Sequence, residues 1–177
     1  MDAEKCIIRE ARDADLARLV QLYRAFLEEA MWGASHVTPN PRFDVDRVLR
    51  RRLHGQNSAI LAAELDGEVV GFACVDFRPG DEAPRSLWER VSEFVTRKRS
   101  TFAVLAGAHG YLAHLFVEGR ARRKGIGSAL VLASRDWVKR RGAKAFELNV
   151  LAENHPARRL YRKLAMSELL VHYRMEF

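Results

Sequence analysis

Apolar and polar residues recur along the first half of the chain with the periods of helices and strands. Asp13 is the expected N-cap of a helix that ends near Gly33. Asp66-Gly67 separates two apolar runs and predicts a tight hairpin. The first half should therefore contain a strand over 5–10, the helix after Asp13, a short helix over 44–53, and strands over 59–65 and 68–77.

The second half has more regular helical signals. Ser86 and Glu89 have the spacing of a capping box at the start of an amphipathic helix. Gly142 is a typical stop for the helix that begins after Gly125, and Asn154 opens another helix. The predicted order is a helix over 86–99, a strand over 110–118, a helix over 126–142, a strand over 145–150, a helix over 154–164 and a strand over 168–173.

These elements predict an α+β or mixed α/β fold with one central sheet flanked by helices. The early hairpin strands run antiparallel, whereas the later strand, helix, strand unit needs a parallel pair joined by a right-handed crossover. With 177 residues and no internal repeat or linker, the chain is predicted to be a single domain over residues 1–177.

Charge and composition narrow the function classes. The net charge of +7 favours a polyanionic partner, such as nucleic acid, a membrane surface or a phosphorylated cofactor. No apolar run is long enough to span a bilayer, and the polar start lacks the pattern of a secretory signal, so we expect a cytoplasmic protein. Cys6 and Cys74 lie in apolar runs and are expected to be buried free thiols.

The basic residues form two clusters. The first, Arg50-Arg51-Arg52, lies beside apolar residues at helical spacing and is predicted to be a solvated helix face. The second contains Arg120 and Arg122-Arg123-Lys124 and interrupts a glycine pattern at a predicted helix start. The amides from Arg123 to Ser128 could converge on a pyrophosphate, with the basic side chains adding phosphate contacts. The alternative is a helix start with a solvated basic turn.

Two motifs resemble the GNAT superfamily of acyl-CoA-dependent N-acetyltransferases. Arg122-Arg123-Lys124-Gly125-Ile126-Gly127 matches the pattern R/Q-x-x-G-x-G/A, with Val117 at the customary distance before it. Downstream, Leu148–Val150, Asn154, Ala157 and the run from Leu160 to Leu164 resemble the family's next segment. The order and separation of the two motifs also match, and the motif-specific resemblance covers roughly residues 112–166.

The resemblance implies a GNAT-like domain with a mostly antiparallel sheet and one parallel strand pair that splays apart. Acetyl-CoA would be the acetyl donor, lying along Leu115-Phe116-Val117, and one amide near Phe116 or Val117 would polarise its thioester. The coenzyme-binding residues implied are Leu115, Phe116, Val117, Arg122, Arg123, Lys124, Gly125, Ile126, Gly127, Ser128, Asn154 and Tyr161.

By the same resemblance, an amine attacks the thioester directly and Tyr161 protonates the departing thiolate. Tyr161 could instead only pack in the core, and Asn154 could cap its helix. His114 and Glu118 share a strand face with Phe116 and are the candidate bases, although each has a structural alternative. No metal-ligand spacing or nucleophile signature is present, so no metal is expected.

Several expectations concern parts where the motifs are less informative. Ala165-Met166 replaces the glycine that many relatives carry after this helix, which predicts a strained left-handed alanine. The amine acceptor is unidentified, and the acidic residues that could attract it are Glu28, Glu29, Asp44 and Asp46. The helix over 86–99 should border the acceptor pocket or form a homodimer interface. The rival functions are a nucleic-acid-binding module, which the absence of interleaved aromatics disfavours, and a catalytically quiet acyl-CoA-binding regulator.

Overall fold

The computed structural model describes residues 6–32, 42–79 and 107–169. The strands in these ranges are β1 (Cys6–Glu10), β2 (Ser58–Leu65), β3 (Glu68–Arg78), β4 (His109–Val117) and β5 (Ala145–Leu148). The helices are α1 (Leu16–Trp32), α2 (Val45–Leu53), α3 (Ile126–Lys139) and α4 (His155–Lys163). Short 3₁₀ turns cover Asp13–Asp15 and Gly119–Ala121. The predicted helix over 86–99 and most of the predicted strand over 168–173 lie outside the described residues.

One sheet with the strand order β1-β2-β3-β4-β5 organises the described chain. The first three neighbouring pairs are antiparallel, and β4 pairs with β5 in parallel, which confirms the predicted mixed fold. The β2–β3 hairpin turns at Asp66 and Gly67, whose φ angles of 50° and 81° are both positive. Two positive φ angles identify a type I′ turn in the hairpin that the sequence predicted.

The two faces of the sheet bury different apolar clusters, because successive strand residues point to opposite sides. On one face, α1 and α2 cover Ile60, Phe72 and Phe116, while α3 covers the other face through Leu130 and Trp137. None of the helices in the described ranges is both long enough and apolar enough to cross a membrane.

Within the described sheet β4 has a free edge beyond the end of β5, and we call the space beside this edge the cleft. Their pairing runs from His109 opposite Ala145 to Leu112 opposite Leu148 and then stops, while β4 continues to Val117. A β-bulge lies at this point, since Cys74 pairs with His114 and Val75 with Leu112. Bulges bend the strand that carries the extra residue, here β4. The predicted parallel pair is therefore present, but β5 ends before the predicted Val150 and leaves the end of β4 without a partner on that side among the described strands.

Three local predictions were wrong. Asp13 begins a 3₁₀ turn instead of capping α1, and Asp15 accepts a hydrogen bond from the Arg12 amide at 2.7 Å. Cys6 is exposed because β1 is the edge strand of the described sheet, whereas Cys74 is buried as predicted. Arg52 is not part of a solvated face, because it packs inward and pairs with Asp76 at 2.5 Å.

Candidate active site

The backbone of β4 beyond the bulge forms the edge of the cleft. The Glu118 amide donates to the Val70 carbonyl at 2.9 Å, so Glu118 and Val70 form a hydrogen-bonded pair. Hydrogen-bonded and non-hydrogen-bonded pairs alternate along antiparallel strands. The backbone groups of Val117 and Leu115 therefore point away from β3 and into the cleft, where β5 no longer pairs with them.

Phe116 occupies the alternate position. It pairs with Phe72, so the same alternation directs its amide and carbonyl towards β3. Its side chain is buried on the opposite face from α3 and lies 6.1 Å from Phe72 and 6.3 Å from Phe26 between ring centroids. The amides of Val117 and Leu115 are therefore available to a ligand in the cleft, whereas the Phe116 amide is directed towards β3.

The loop after β4 ends in a left-handed glycine at the start of α3. Gly125 is the N-cap with φ +82°, and Arg123 before it has φ +65°. The first backbone bond of α3 joins the Ala129 amide to the Gly125 carbonyl at 3.1 Å. The amides of Ile126, Gly127 and Ser128 therefore find no backbone acceptor among the described residues. Such amides, at the positive end of the helix dipole, can bind an anion. We call the loop end from Arg123 to Ser128, with these three amides, the cradle.

The side chains of this cradle are fixed by packing. Ile126 is buried in the core, so its contribution to a ligand is its amide. A Cβ built on Gly127 would lie 3.4 Å from the Leu160 side chain, which shows that α4 packs closely against the first turn of α3. Gly125 has no atom within 4 Å of such a Cβ, so only its φ angle requires glycine.

Arg120 and Arg122, two of the basic side chains expected at the phosphates, are held by other parts of the chain. Arg120 pairs with Glu118 at 2.7 Å and with Glu68 at 2.6 Å. Arg122 donates to the Val117 carbonyl at 2.7 Å and pairs with Glu29 at 2.6 Å. Arg123 and Lys124 are exposed beside the cradle. The ion pairs of Arg120 and Arg122 would have to break before either side chain could bind a phosphate.

Tyr161 lies on α4 and packs, half-buried, against the core cluster on the α3 face of the sheet. Burial raises the pKa of Tyr161 to about 12, so the phenol keeps its proton at neutral pH. Its hydroxyl has no hydrogen-bond partner among the residues of the described ranges. A protonated phenol without a partner in the described ranges can donate a hydrogen bond to a ligand.

Both ends of α4 have defined caps. Asn154 accepts a hydrogen bond from the Ala157 amide at 3.2 Å, which is the capping role that the sequence left open. Ala165 has φ 59°, as predicted for the alanine that replaces glycine. The Met166 amide donates to the Tyr161 carbonyl at 3.1 Å and the Ala165 amide to the Arg162 carbonyl at 3.0 Å. These two bonds form a Schellman motif, which holds the Tyr161 backbone in place despite the strain.

His114 faces α1 from the bulge of β4. The Tyr23 hydroxyl lies 3.3 Å from both ring nitrogens, and the ring of Phe26 is 5.3 Å away between centroids. Burial, helped by the positive charge of Arg52, lowers the pKa of His114 to about 4. His114 is therefore neutral at pH 7 and keeps one lone pair on the ring. Sequence patterns missed Tyr23 because its apolar helical neighbours indicate only a core position.

Glu118 lies in an ion-pair network that joins three parts of the chain. Partial desolvation raises the pKa of its carboxyl, but the bonds from Arg120 and Arg18 outweigh that effect and lower the pKa overall. The Arg18 guanidinium lies 3.0 Å from Glu118 and also pairs with Glu68. A carboxylate held this way is a weak proton acceptor, so the geometry favours a structural role for Glu118.

Three of the four acidic residues considered for the acceptor also have structural partners. Asp44 caps α2 by accepting from the Arg47 amide at 3.1 Å. Asp46 pairs with Arg50 at 2.6 Å, and Glu29 pairs with Arg122. Among the described residues, no group of three or more histidine, cysteine, aspartate or glutamate side chains could hold a metal ion.

The chain is similar to known acetyltransferases over nearly its full length. The model of the Acetyltransferase (GNAT) family matches residues 17–166. A Bacillus subtilis (strain 168) protein called uncharacterized N-acetyltransferase YhfO is 30% identical over 174 residues, covering 94% of each chain. An N-alpha-acetyltransferase of Sulfurisphaera tokodaii is 30% identical over 165 residues, covering 82% of this chain and 89% of that protein.

Solved structures show the same fold. An aminoglycoside N-acetyltransferase, AAC(6')-Iy in complex with CoA, has a TM-score of 0.66 at 18% identity, covering 99% of this chain and 97% of that one. Together with the two motifs around the β4–β5 cleft, the match of the family model shows that this chain belongs to the GNAT acetyltransferase family.

Proposed function

We propose that this protein transfers the acetyl group of acetyl-CoA to a primary amine by direct attack of the amine on the thioester. The observation that carries the proposal is the continuity of two unpaired backbone surfaces. The cleft-facing groups of Leu115 and Val117 lead through a short loop to the free amides of Ile126, Gly127 and Ser128. An edge that can pair with pantetheine amides, followed by a pyrophosphate cradle, fits the coenzyme in shape and chemistry.

The strand edge would also assist the reaction. An amide of Leu115 or Val117 donates to the thioester oxygen as negative charge develops there. The amine nitrogen forms the new C–N bond, the C–S bond breaks, and the sulfur leaves as the CoA thiolate. Tyr161, protonated at neutral pH, donates its proton or a hydrogen bond to that sulfur. Asn154 would border the coenzyme while its side chain caps α4.

The proton of the amine must leave during the reaction. His114 is the better of the two candidate bases, because its lowered pKa keeps it neutral and its ring contacts Tyr23 and Phe26 of α1. Its lowered pKa makes it a weak base, which favours an amine that binds already deprotonated or passes its proton through water. Glu118 is less suited, since Arg18 and Arg120 hold its carboxylate.

The acceptor class is supported by the relatives rather than by a pocket of this chain. One relative is named an N-alpha-acetyltransferase, and one structural neighbour is an aminoglycoside N-acetyltransferase. Both small amines and protein amines therefore belong in the test. We further propose that the chain acts in the cytoplasm as a single domain, as a monomer or a homodimer, and without a metal.

The proposal is tested by incubating the protein with acetyl-CoA and a panel of amines while CoA thiol release is measured. The panel should contain polyamines, an aminoglycoside and peptides with free N-termini. We expect release that depends on one class of amine. Acetyl-CoA binding without release for any amine would overturn the enzymatic proposal in favour of an acyl-CoA-binding regulator, and no binding at all would overturn both.

A further inference from the structure

We propose that Arg122 is a positioning residue that ties the coenzyme edge of β4 to helix α1, and that it is not a phosphate ligand. The proposal deepens the proposed function, on which it rests for the identity of the ligand. Arg122 is the first residue of the motif that ends at Gly127, and the family resemblance assigned it to the coenzyme.

The guanidinium of Arg122 is already engaged on two sides. Its Nε donates to the Val117 carbonyl at 2.7 Å, and one terminal nitrogen lies 2.7 and 2.6 Å from the two carboxylate oxygens of Glu29. The guanidinium also lies 5.5 Å from the centroid of the Phe116 ring. Because the guanidinium is rigid and planar, its simultaneous bonds hold the Val117 carbonyl and the Glu29 carboxylate at a fixed separation.

The partners belong to the two sides of the reaction. The Val117 carbonyl is directed into the cleft, and a carbonyl oxygen has two lone pairs, so the bond from Arg122 leaves one for an amide of the pantetheine arm. Glu29 lies in the last turns of α1, the helix that carries Tyr23 and packs on the His114 side of β4. Arg122 therefore links the α1 side of β4, where the candidate base His114 lies and where we place the acceptor, to the backbone group that receives the donor.

A positioning role and a phosphate-binding role of Arg122 predict opposite effects on donor binding when the charge of Glu29 is removed. If Arg122 positions Val117, removing the charge of Glu29 loosens the guanidinium and weakens donor binding. If Arg122 binds a phosphate, the same change releases a competing carboxylate and strengthens donor binding.

The experiment compares Arg122→Gln, Arg122→Lys and Glu29→Gln with Arg135→Gln as a matched control. Arg135 is an exposed arginine that pairs with Asp136 on α3, so its loss should leave donor binding unchanged. The probes are acetyl-CoA and S-acetylpantetheine, which lacks every phosphate. Dissociation constants are measured by calorimetry and by competition, and thermal melting verifies that each variant is folded.

We expect Glu29→Gln and both Arg122 variants to weaken the two probes by the same factor, about threefold to tenfold. Lysine should not rescue, because an ammonium cannot bridge the carbonyl and the carboxylate with fixed geometry. An Arg122→Gln loss confined to acetyl-CoA would overturn the inference, as would an unchanged or tighter affinity in Glu29→Gln. Calorimetry and competition measure binding alone, so they test the role of Arg122 even if no amine is acetylated. If the unmutated protein bound neither acetyl-CoA nor S-acetylpantetheine, the proposed function would be refuted as well.

Discussion

On the proposed coenzyme side of β4 most of the groups that would meet a ligand belong to the backbone, whereas on the proposed acceptor side they are side chains. Gly125 and the free edge at Val117 set the first side through φ angles and strand pairing. Tyr23 and His114 set the second through ring contacts and a hydrogen bond. Backbone geometry tolerates many sequences, while a side-chain site changes with each substitution. We infer that the donor site can stay constant in this fold while the acceptor site diverges.

The largest expected effect breaks this contrast, because it comes from one side chain on the coenzyme side. Tyr161→Phe removes only a hydroxyl that has no described partner, so folding and acetyl-CoA binding should persist. The turnover number should fall by about 10² to 10⁴ if general acid catalysis is lost. Tyr111→Phe, on the part of β4 that pairs with β5, is the matched control and should keep full turnover. Equal turnover of the two variants, measured where chemistry limits the rate, would return Tyr161 to a packing role.

The second prediction tests whether backbone conformation controls donor binding. Gly125→Val forces a β-branched residue to φ +82°, so it should displace the cradle and weaken acetyl-CoA binding by about tenfold or more. Gly127→Ala, in ordinary helical conformation and in contact distance of Leu160, should have a much smaller effect. Arg50→Gln on α2 serves as a distant control. Calorimetric affinities that do not differ between Gly125→Val and Arg50→Gln would refute the cradle.

The acceptor side should respond to pH through His114. Its native pKa of about 4 lies below the ordinary value, so the neutral ring stabilises the fold above about pH 6.5, and this contribution is lost as the pH falls towards 4. The loss should be on the order of 2 to 3 kcal/mol. His114→Asn should remove that part of the pH dependence of the urea-unfolding free energy. If His114→Asn kept the full pH dependence of the unfolding free energy, groups other than His114 would be its cause.

The smallest predicted effect concerns strain next to Tyr161. Ala165→Gly relieves a left-handed alanine and should stabilise the fold by roughly 1 kcal/mol. Ala157→Gly in the helical part of α4 should act in the opposite direction, by about 0.5 to 1 kcal/mol. Chemical denaturation of both variants measures the two signs. A destabilising Ala165→Gly would mean that the Schellman turn tolerates alanine without strain.

Much of the fold and of the conformation of the loop before α3 was predictable because it depends on local patterns. The hairpin at Asp66-Gly67, the parallel strand pair and the left-handed Ala165 follow from turn chemistry, from the order of the elements and from the missing glycine. The partners of Arg122 and Glu118 were not predictable. Glu29 is separated from Arg122 by 93 residues and Arg18 from Glu118 by 100, so no local period connects them.

The sequence by itself determined the order of elements, the family and the glycine loop, because each rests on residue types at short spacing. Only the tertiary structure decided which backbone groups of β4 face the cleft. That choice depends on the hydrogen bond between Glu118 and Val70 and on the bulge opposite Cys74, two features of strand register. Register shifts by one residue exchange the two sets of backbone groups, so the roles of Phe116 and Val117 could be separated only once the strands were paired.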